Sequence, residues 1–158
     1  LDVLKQRALR AGVTIIETKP IETTKVITRL AGTADRVLID APCSGLGVLR
    51  RNPDIKWRAS PDRLEHCRAR QIAFLDQVSH FVKPSGVLVY AVCSMEPEEN
   101  EAVAAAFLSD HPHFSVENNP EGLPPQIRSL MNPEGHLRTF PHLHGMDGFF
   151  SARFQRCA

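Results

Sequence analysis

Arg36-Val37-Leu38-Ile39-Asp40-Ala41-Pro42-Cys43-Ser44-Gly45 is the stretch on which the fold turns. Its unbroken apolar centre predicts a strand buried on both faces of a parallel sheet. The Pro-Cys-Ser-Gly run that follows predicts a turn at the strand's carboxyl end, where open α/β sheets place their ligand sites. Working outward, Gly86-Val87-Leu88-Val89-Tyr90-Ala91-Val92 predicts a second strand of the same kind, followed by Cys93-Ser94. Two successive parallel strands ending in cysteine put both thiols on one sheet edge, although they lie 50 positions apart. An isolated cysteine is most often inert core, and Cys67 and Cys157 are read that way.

Between the two strands, Leu64, Ile72, Leu75, Val78 and Val82 recur at helical spacing. Ser60 serves as N-cap with Pro61 at the first helical position, and Pro84 stops the helix near Lys83. A second helix is expected from Pro97 to Leu108, with Glu96, Glu98, Glu99 and Glu101 favoured at its start by the helix dipole. Phe114-Ser115-Val116 and Gly148 to Phe154 read as late strands, able to form an antiparallel edge. The stretch 118–146 holds five of the twelve prolines and reads as loop. At the front, Leu1, Leu4, Ala8 and Ala11 mark a helix ended by Gly12, and Val13-Thr14-Ile15-Ile16 reads as a strand. Strands alternating with helices make the fold class α/β.

The length, 158 residues, suits one domain, 1–158. A net charge of +1 carries no nucleic-acid signal on average. No Cys-x-x-Cys pair is present, which argues against a zinc ribbon, and the composition needs no disulfide staples. No apolar run reaches the roughly 18 residues of a membrane span. A reduced, cytoplasmic protein is expected. The chain opens inside a helix without an initiator Met, so an upstream segment is expected to be missing.

The segments Asp40 to Gly45 and Val92 to Asn100 resemble the two signature motifs of the RNA cytosine-C5 methyltransferases. The similarity is greatest to the Sun/Fmu branch, which methylates small-subunit ribosomal RNA. Arg50-Arg51-Asn52-Pro53-Asp54-Ile55-Lys56-Trp57 is similar to a segment after that branch's first motif. Met146-Asp147-Gly148-Phe149-Phe150 is similar to its closing strand. The resemblance implies a Rossmann-like class I S-adenosylmethionine-dependent methyltransferase fold, here lacking its first two strands, with residues 1–158 as an N-terminally truncated catalytic domain. It implies Cys93 as nucleophile, Cys43 as assistant in proton removal and product release, and Asp40 as a hydrogen-bonding partner of the cytosine edge. Pro42, Ser44, Arg50, Arg51 and Lys56 become the expected substrate contacts. Asp40 also reads as a cap or turn residue, and Glu99 as a helix cap.

Two thiols suit that chemistry. Carbon 5 of cytosine is a weak nucleophile until a thiolate adds to C6 and makes the ring an enamine. A general base must then remove the C5 proton before the thiolate can leave, and a second thiolate is one candidate. The target base must be unstacked, so flipped or single-stranded cytosine is expected. From Arg50 to Arg70 there are seven basic and three acidic residues, enough to position a phosphate backbone, with Trp57 free to stack on a base. A solvated helix face at Arg63 to Arg70 and a core Trp57 are the plainer alternatives.

S-adenosylmethionine is the implied cofactor, with Asp40 as its one expected contact. The glycine-rich loop after the first strand and the acidic residue after the second are missing from this sequence. Asp2 lies in the opening helix, and Glu17 is only a weak substitute after the third strand. The fragment is therefore expected to bind the cofactor abnormally and to be inactive by itself. No metal is expected: His142 and His144 form a His-x-His pair without a third ligand nearby. The alternatives are a noncatalytic RNA-binding module of the same fold and a thiol redox protein using Cys43 and Cys93.

Overall fold

The computed structural model describes residues 1–20, 28–118 and 123–158. The chain divides into two compact units, Leu1–Leu30 and Ala31–Ala158. In the first, helix α1 (Asp2–Arg10) is followed by Gly12 at φ +68°, as its stop signal predicts. The strand expected at Val13 to Ile16 does not form, and this stretch pairs with no strand among the described residues. A β-branched run becomes a strand only against a hydrogen-bonding neighbour.

The second unit is a five-stranded sheet. Its strands are β1 (Ala34–Asp40), β2 (Val82–Val92), β3 (Phe114–Val116), β4 (His136–Thr139) and β5 (Phe149–Arg156). The order is β1-β2-β5-β3, with β4 also paired to β5. β1 and β2 run parallel and are joined through helix α2 (Pro61–Ser79), the crossover a parallel pair requires. β5 is antiparallel to β2, and its other edge is shared by β4 (pairing 149–152) and β3 (pairing 154–156). The late strands β3 and β5 thus form the expected antiparallel side of the sheet, with β3 at its edge and β5 next to β2.

Ser60 caps α2 as expected, its hydroxyl accepting from the Arg63 amide at 3.2 Å. The helix ends at Ser79, before Pro84 is reached, and fully buried Val82 already belongs to β2. Pro84 sits where the β1/β2 register jumps from Ala34↔Val82 to Arg36↔Val87, an irregularity that accommodates a residue with no amide hydrogen. Helix α3 (Glu101–Asp110) starts four residues later than the acidic run predicts, because Pro97–Asn100 form a turn. The proline-rich stretch contains two four-residue helices, α4 (Pro125–Arg128) and α5 (Pro141–His144), and the unforeseen β4.

The register explains the core. Val37, Leu88 and Phe154 align across three strands, as do Ile39, Tyr90 and Ala152. This face carries the buried cluster with Leu75 of α2 and Val103, Ala104 and Phe107 of α3. Phe107 packs on Phe154 and Phe114 at ring-centroid distances of 4.9 and 5.2 Å. The opposite face aligns Leu38, Val89 and Arg153. Leu38 is 70% exposed there, so β1 is not buried on both sides as its apolar run suggests. A cavity of about 200 Å³ lies on this face, between Val89, Arg153 and the Leu123–Leu137 segment.

Candidate active site

The parallel pairing of β1 and β2 sets Asp40 opposite Ala91 and brings the two following loops together. Ala41 continues the ladder by donating to Ala91 O at 3.0 Å. Two residues further on, Cys43 Sγ and Cys93 Sγ stand 3.3 Å apart, hydrogen-bonded and free of any disulfide. Both are half-buried. Cys67 is buried core on α2, as expected, and Cys157 is exposed.

The thiols differ electrostatically. The Cys43 S–H holds the Cys93 thiolate and lowers the Cys93 pKa to about 7, against burial and the repulsion of Asp40 and Glu99. The same contact pushes Cys43 well above the usual thiol range, with burial adding to the rise. A thiolate at neutral pH is therefore Cys93, and its proton-bearing neighbour is Cys43.

Beneath the sulfurs lies Glu99, fully buried. Its Oε1 accepts from the Ser44 amide at 2.8 Å and from Gln71 Nε2 at 2.9 Å. Its Oε2 accepts from the Ser44 hydroxyl at 2.5 Å and the Ser94 hydroxyl at 2.6 Å. Gln71 also donates to Pro42 O at 3.0 Å, and the Tyr90 hydroxyl donates to Glu99 O at 2.6 Å. Glu99 is thus no helix cap. Asn100 precedes α3, and its amide donates to Ser94 O at 3.3 Å.

A backbone relay ties in a third loop. Gly47 N donates to Cys93 O at 3.0 Å, and Gly148 N donates to Gly47 O at 2.8 Å. A Cβ on Gly47 would lie 2.0 Å from Gly148 O, so only glycine permits this approach.

Asp40 is exposed at the carboxyl end of β1, and Pro42 is exposed in the turn. Ser44, expected as a substrate contact, is buried and committed to Glu99. Arg50 and Arg51 share one carboxylate: Arg50 Nε lies 2.7 Å from Asp147 Oδ1, and Arg51 Nε lies 3.0 Å from Oδ2. Arg50 also donates to Gly145 O at 2.8 Å. The arginines brace the 145–148 turn while one positive charge remains uncompensated among the three groups. Lys56 and Trp57 lie on a short 3₁₀ helix, Pro53–Arg58, with Lys56 Nζ 4.6 Å from the Trp57 ring centroid. Trp57 is 78% exposed, so it is not a core residue. His144 Nδ1 accepts from the Phe140 amide at 2.9 Å and closes α5.

Gln71, Ser94, Asp147 and Gly47 escaped the sequence reading. Gln71 had a visible signal: Cys67, Gln71 and Leu75 recur every four residues along the buried side of α2. Asp147 stands inside a recognised motif, but its two arginine partners are visible only in three dimensions.

A sheet with parallel β1 and β2, their crossover helix and two hydrogen-bonded thiols at adjacent carboxyl ends defines a Rossmann-like methyltransferase fold with a two-cysteine site. Residues 1–155 match the family described as 16S rRNA methyltransferase RsmB/F, and the chain belongs to that family. It is 38% identical over 150 residues to a probable ribosomal RNA small subunit methyltransferase B of Bacillus subtilis (strain 168), covering 94% of this chain and 33% of that protein. The solved structure of PH0851 matches with a TM-score of 0.83 at 32% identity, covering 98% of this chain and 34% of the other. NSun6 from Pyrococcus horikoshii, solved with SFG, has the same fold, with a TM-score of 0.79 at 24% identity over 98% of this chain and 38% of its own. The chain spans about a third of the length of the curated relative named above.

Proposed function

We propose that this chain is the catalytic part of an RNA cytosine-C5 methyltransferase acting on small-subunit ribosomal RNA in the cytoplasm. The observation that carries the reading is the Cys43–Cys93 pair, with sulfurs 3.3 Å apart and opposite pKa displacements. Family membership supplies the substrate class: relatives are named as ribosomal RNA small subunit methyltransferases.

Cys93, the thiolate, adds to C6 of a flipped cytosine, forming the S–C6 bond and moving the ring electrons toward C5 and N3. Asp40, exposed at the same edge, is the residue placed to hydrogen-bond the base. S-adenosylmethionine would supply an electrophilic methyl group to C5. Asp40 is the residue assigned to contact it, an incomplete set for an adenosyl group.

The thiol pair gives the next step its order. Once Cys93 becomes a thioether, the charge that held the Cys43 proton is gone. The Cys43 thiol then falls back toward its ordinary range and can ionise, giving its proton to solvent. As thiolate it takes the C5 proton. The C5–C6 double bond re-forms as the S–C6 bond breaks, releasing Cys93. Arg51, Lys56 and Trp57 lie on the exposed side of the first loop, suited to phosphate and base.

Trapping the covalent RNA complex with the full-length protein tests the roles. Cys43→Ala should accumulate adduct because release fails, and Cys93→Ala should form none. The reverse pattern would overturn the assignment.

A further inference from the structure

Both thiol-bearing loops converge on one side chain. Glu99 grips Ser44, the residue after Cys43, through its amide and hydroxyl, and Ser94, the residue after Cys93, through its hydroxyl. Gln71 extends the grip to Pro42 O, the residue before Cys43. Each sulfur therefore sits one residue from an atom anchored to the same buried carboxylate. A carboxylate accepts all four hydrogen bonds at once, whereas an amide in its place offers one acceptor oxygen and presents a donor to donors. Burying a carboxylate is costly unless its oxygens are satisfied, and this one is satisfied only while both loops are docked. Its burial and the docked geometry are one condition.

We propose that Glu99 is a positioning residue that holds the Cys43 and Cys93 loops in register, so that the Cys43 S–H points at the Cys93 sulfur. It touches neither base nor methyl donor. The proposal rests on the reading of the two thiols given above and assigns the device that maintains their contact.

Two effects of Glu99 on Cys93 oppose one another, which makes the proposal testable by sign. As a charge, Glu99 disfavours the Cys93 thiolate, as Asp40 does. As the anchor, it maintains the Cys43 hydrogen bond, the strongest influence favouring that thiolate. Loss of the carboxylate lowers the Cys93 titration midpoint if only charge matters, and raises it if positioning matters.

The experiment is iodoacetamide labelling of the full-length protein across pH, with the label localised to Cys93 by mass spectrometry. For Glu99→Gln the midpoint should rise, slowing labelling at pH 7 by about tenfold. A fall in midpoint, or none, overturns the proposal. Should Glu99→Gln not fold, as judged by circular dichroism, Ser44→Ala and Ser94→Ala decide: each removes one grip and leaves the charge. Both should raise the midpoint by a smaller amount, and no shift in either overturns the proposal. Labelling needs neither RNA nor cofactor. Failure of Cys43→Ala to trap RNA, with these shifts intact, would sink the methyltransferase reading and leave the positioning role standing.

Discussion

The loop that leaves β1 and the loop that leaves β2 begin alike and end differently. Each follows a parallel strand, carries a cysteine at the same sheet edge and continues into a serine held by Glu99. The first then runs into a long basic segment with Arg50, Arg51, Lys56 and exposed Trp57. The second closes within seven residues into a turn with fully buried Glu99 and Asn100. One loop faces outward and the other supplies the interior anchor. Position at the edge brings the thiols together, but their hydrogen bond sets which ionises first.

The largest test of that asymmetry removes one thiol. Cys43→Ala should carry the Cys93 labelling midpoint from about 7 back toward 9.0, slowing labelling at pH 6 by up to about a hundredfold. The sign follows from the ladder of protonation: labelling follows the thiolate, and losing the Cys43 donor leaves less thiolate at every pH below the new midpoint. A single unchanged midpoint would mean the thiols do not communicate.

Next in size is Gly47→Ala, which drives a methyl into Gly148 O and severs the relay between the loops. It should cost at least about 2 kcal/mol in urea unfolding. A cost below about 0.5 kcal/mol would mean the first loop moves aside freely. Mild oxidation should then join Cys43 to Cys93 within one chain, because sulfurs at 3.3 Å need only a small approach to reach bonding distance. Peptide mapping without that bridge would show the pair to be more rigid than its contact implies.

Smallest is the outward difference. Arg51→Ala should weaken RNA binding about uniformly over sequences and reduce its salt slope by about 1, while changing stability by less than about 0.5 kcal/mol. Arg50→Ala should cost more stability, since Arg50 also holds Gly145 O. Equal effects of the two variants on both measurements would erase that distinction.

The strands around the site were legible because their signals are local. Val37 to Ile39 and Val87 to Val92 are apolar runs long enough to announce a strand, and Ser60-Pro61 announces α2 without ambiguity. The failures share one cause, the need for a partner. Val13 to Ile16 has strand composition and no neighbouring ladder among the described residues. β4 has the composition of a loop, His136-Leu137-Arg138-Thr139, and becomes a strand because β5 offers it an edge. Both cysteines were placed by topology alone, whereas Glu99 was hidden in an acidic run whose first members stay near the surface. Nothing in Glu96-Pro97-Glu98-Glu99 says which carboxylate turns inward, since that is decided by Ser44 of the first loop and Gln71 of α2 meeting it together with Ser94 at the start of its own loop.

Gly47 and Gly148 meet backbone to backbone, and this mutual approach has a consequence for how the sequence can diverge. Most tight contacts can be relaxed by shrinking one side when the other grows. Here each partner is already the smallest residue there is. At Gly47 no compensating exchange exists, because what a Cβ there would meet is the backbone oxygen of Gly148, so any lineage that keeps the relay must keep that glycine; a Cβ on Gly148 would first meet the Met95 side chain at 2.6 Å, an obstacle that a smaller residue at 95 could remove.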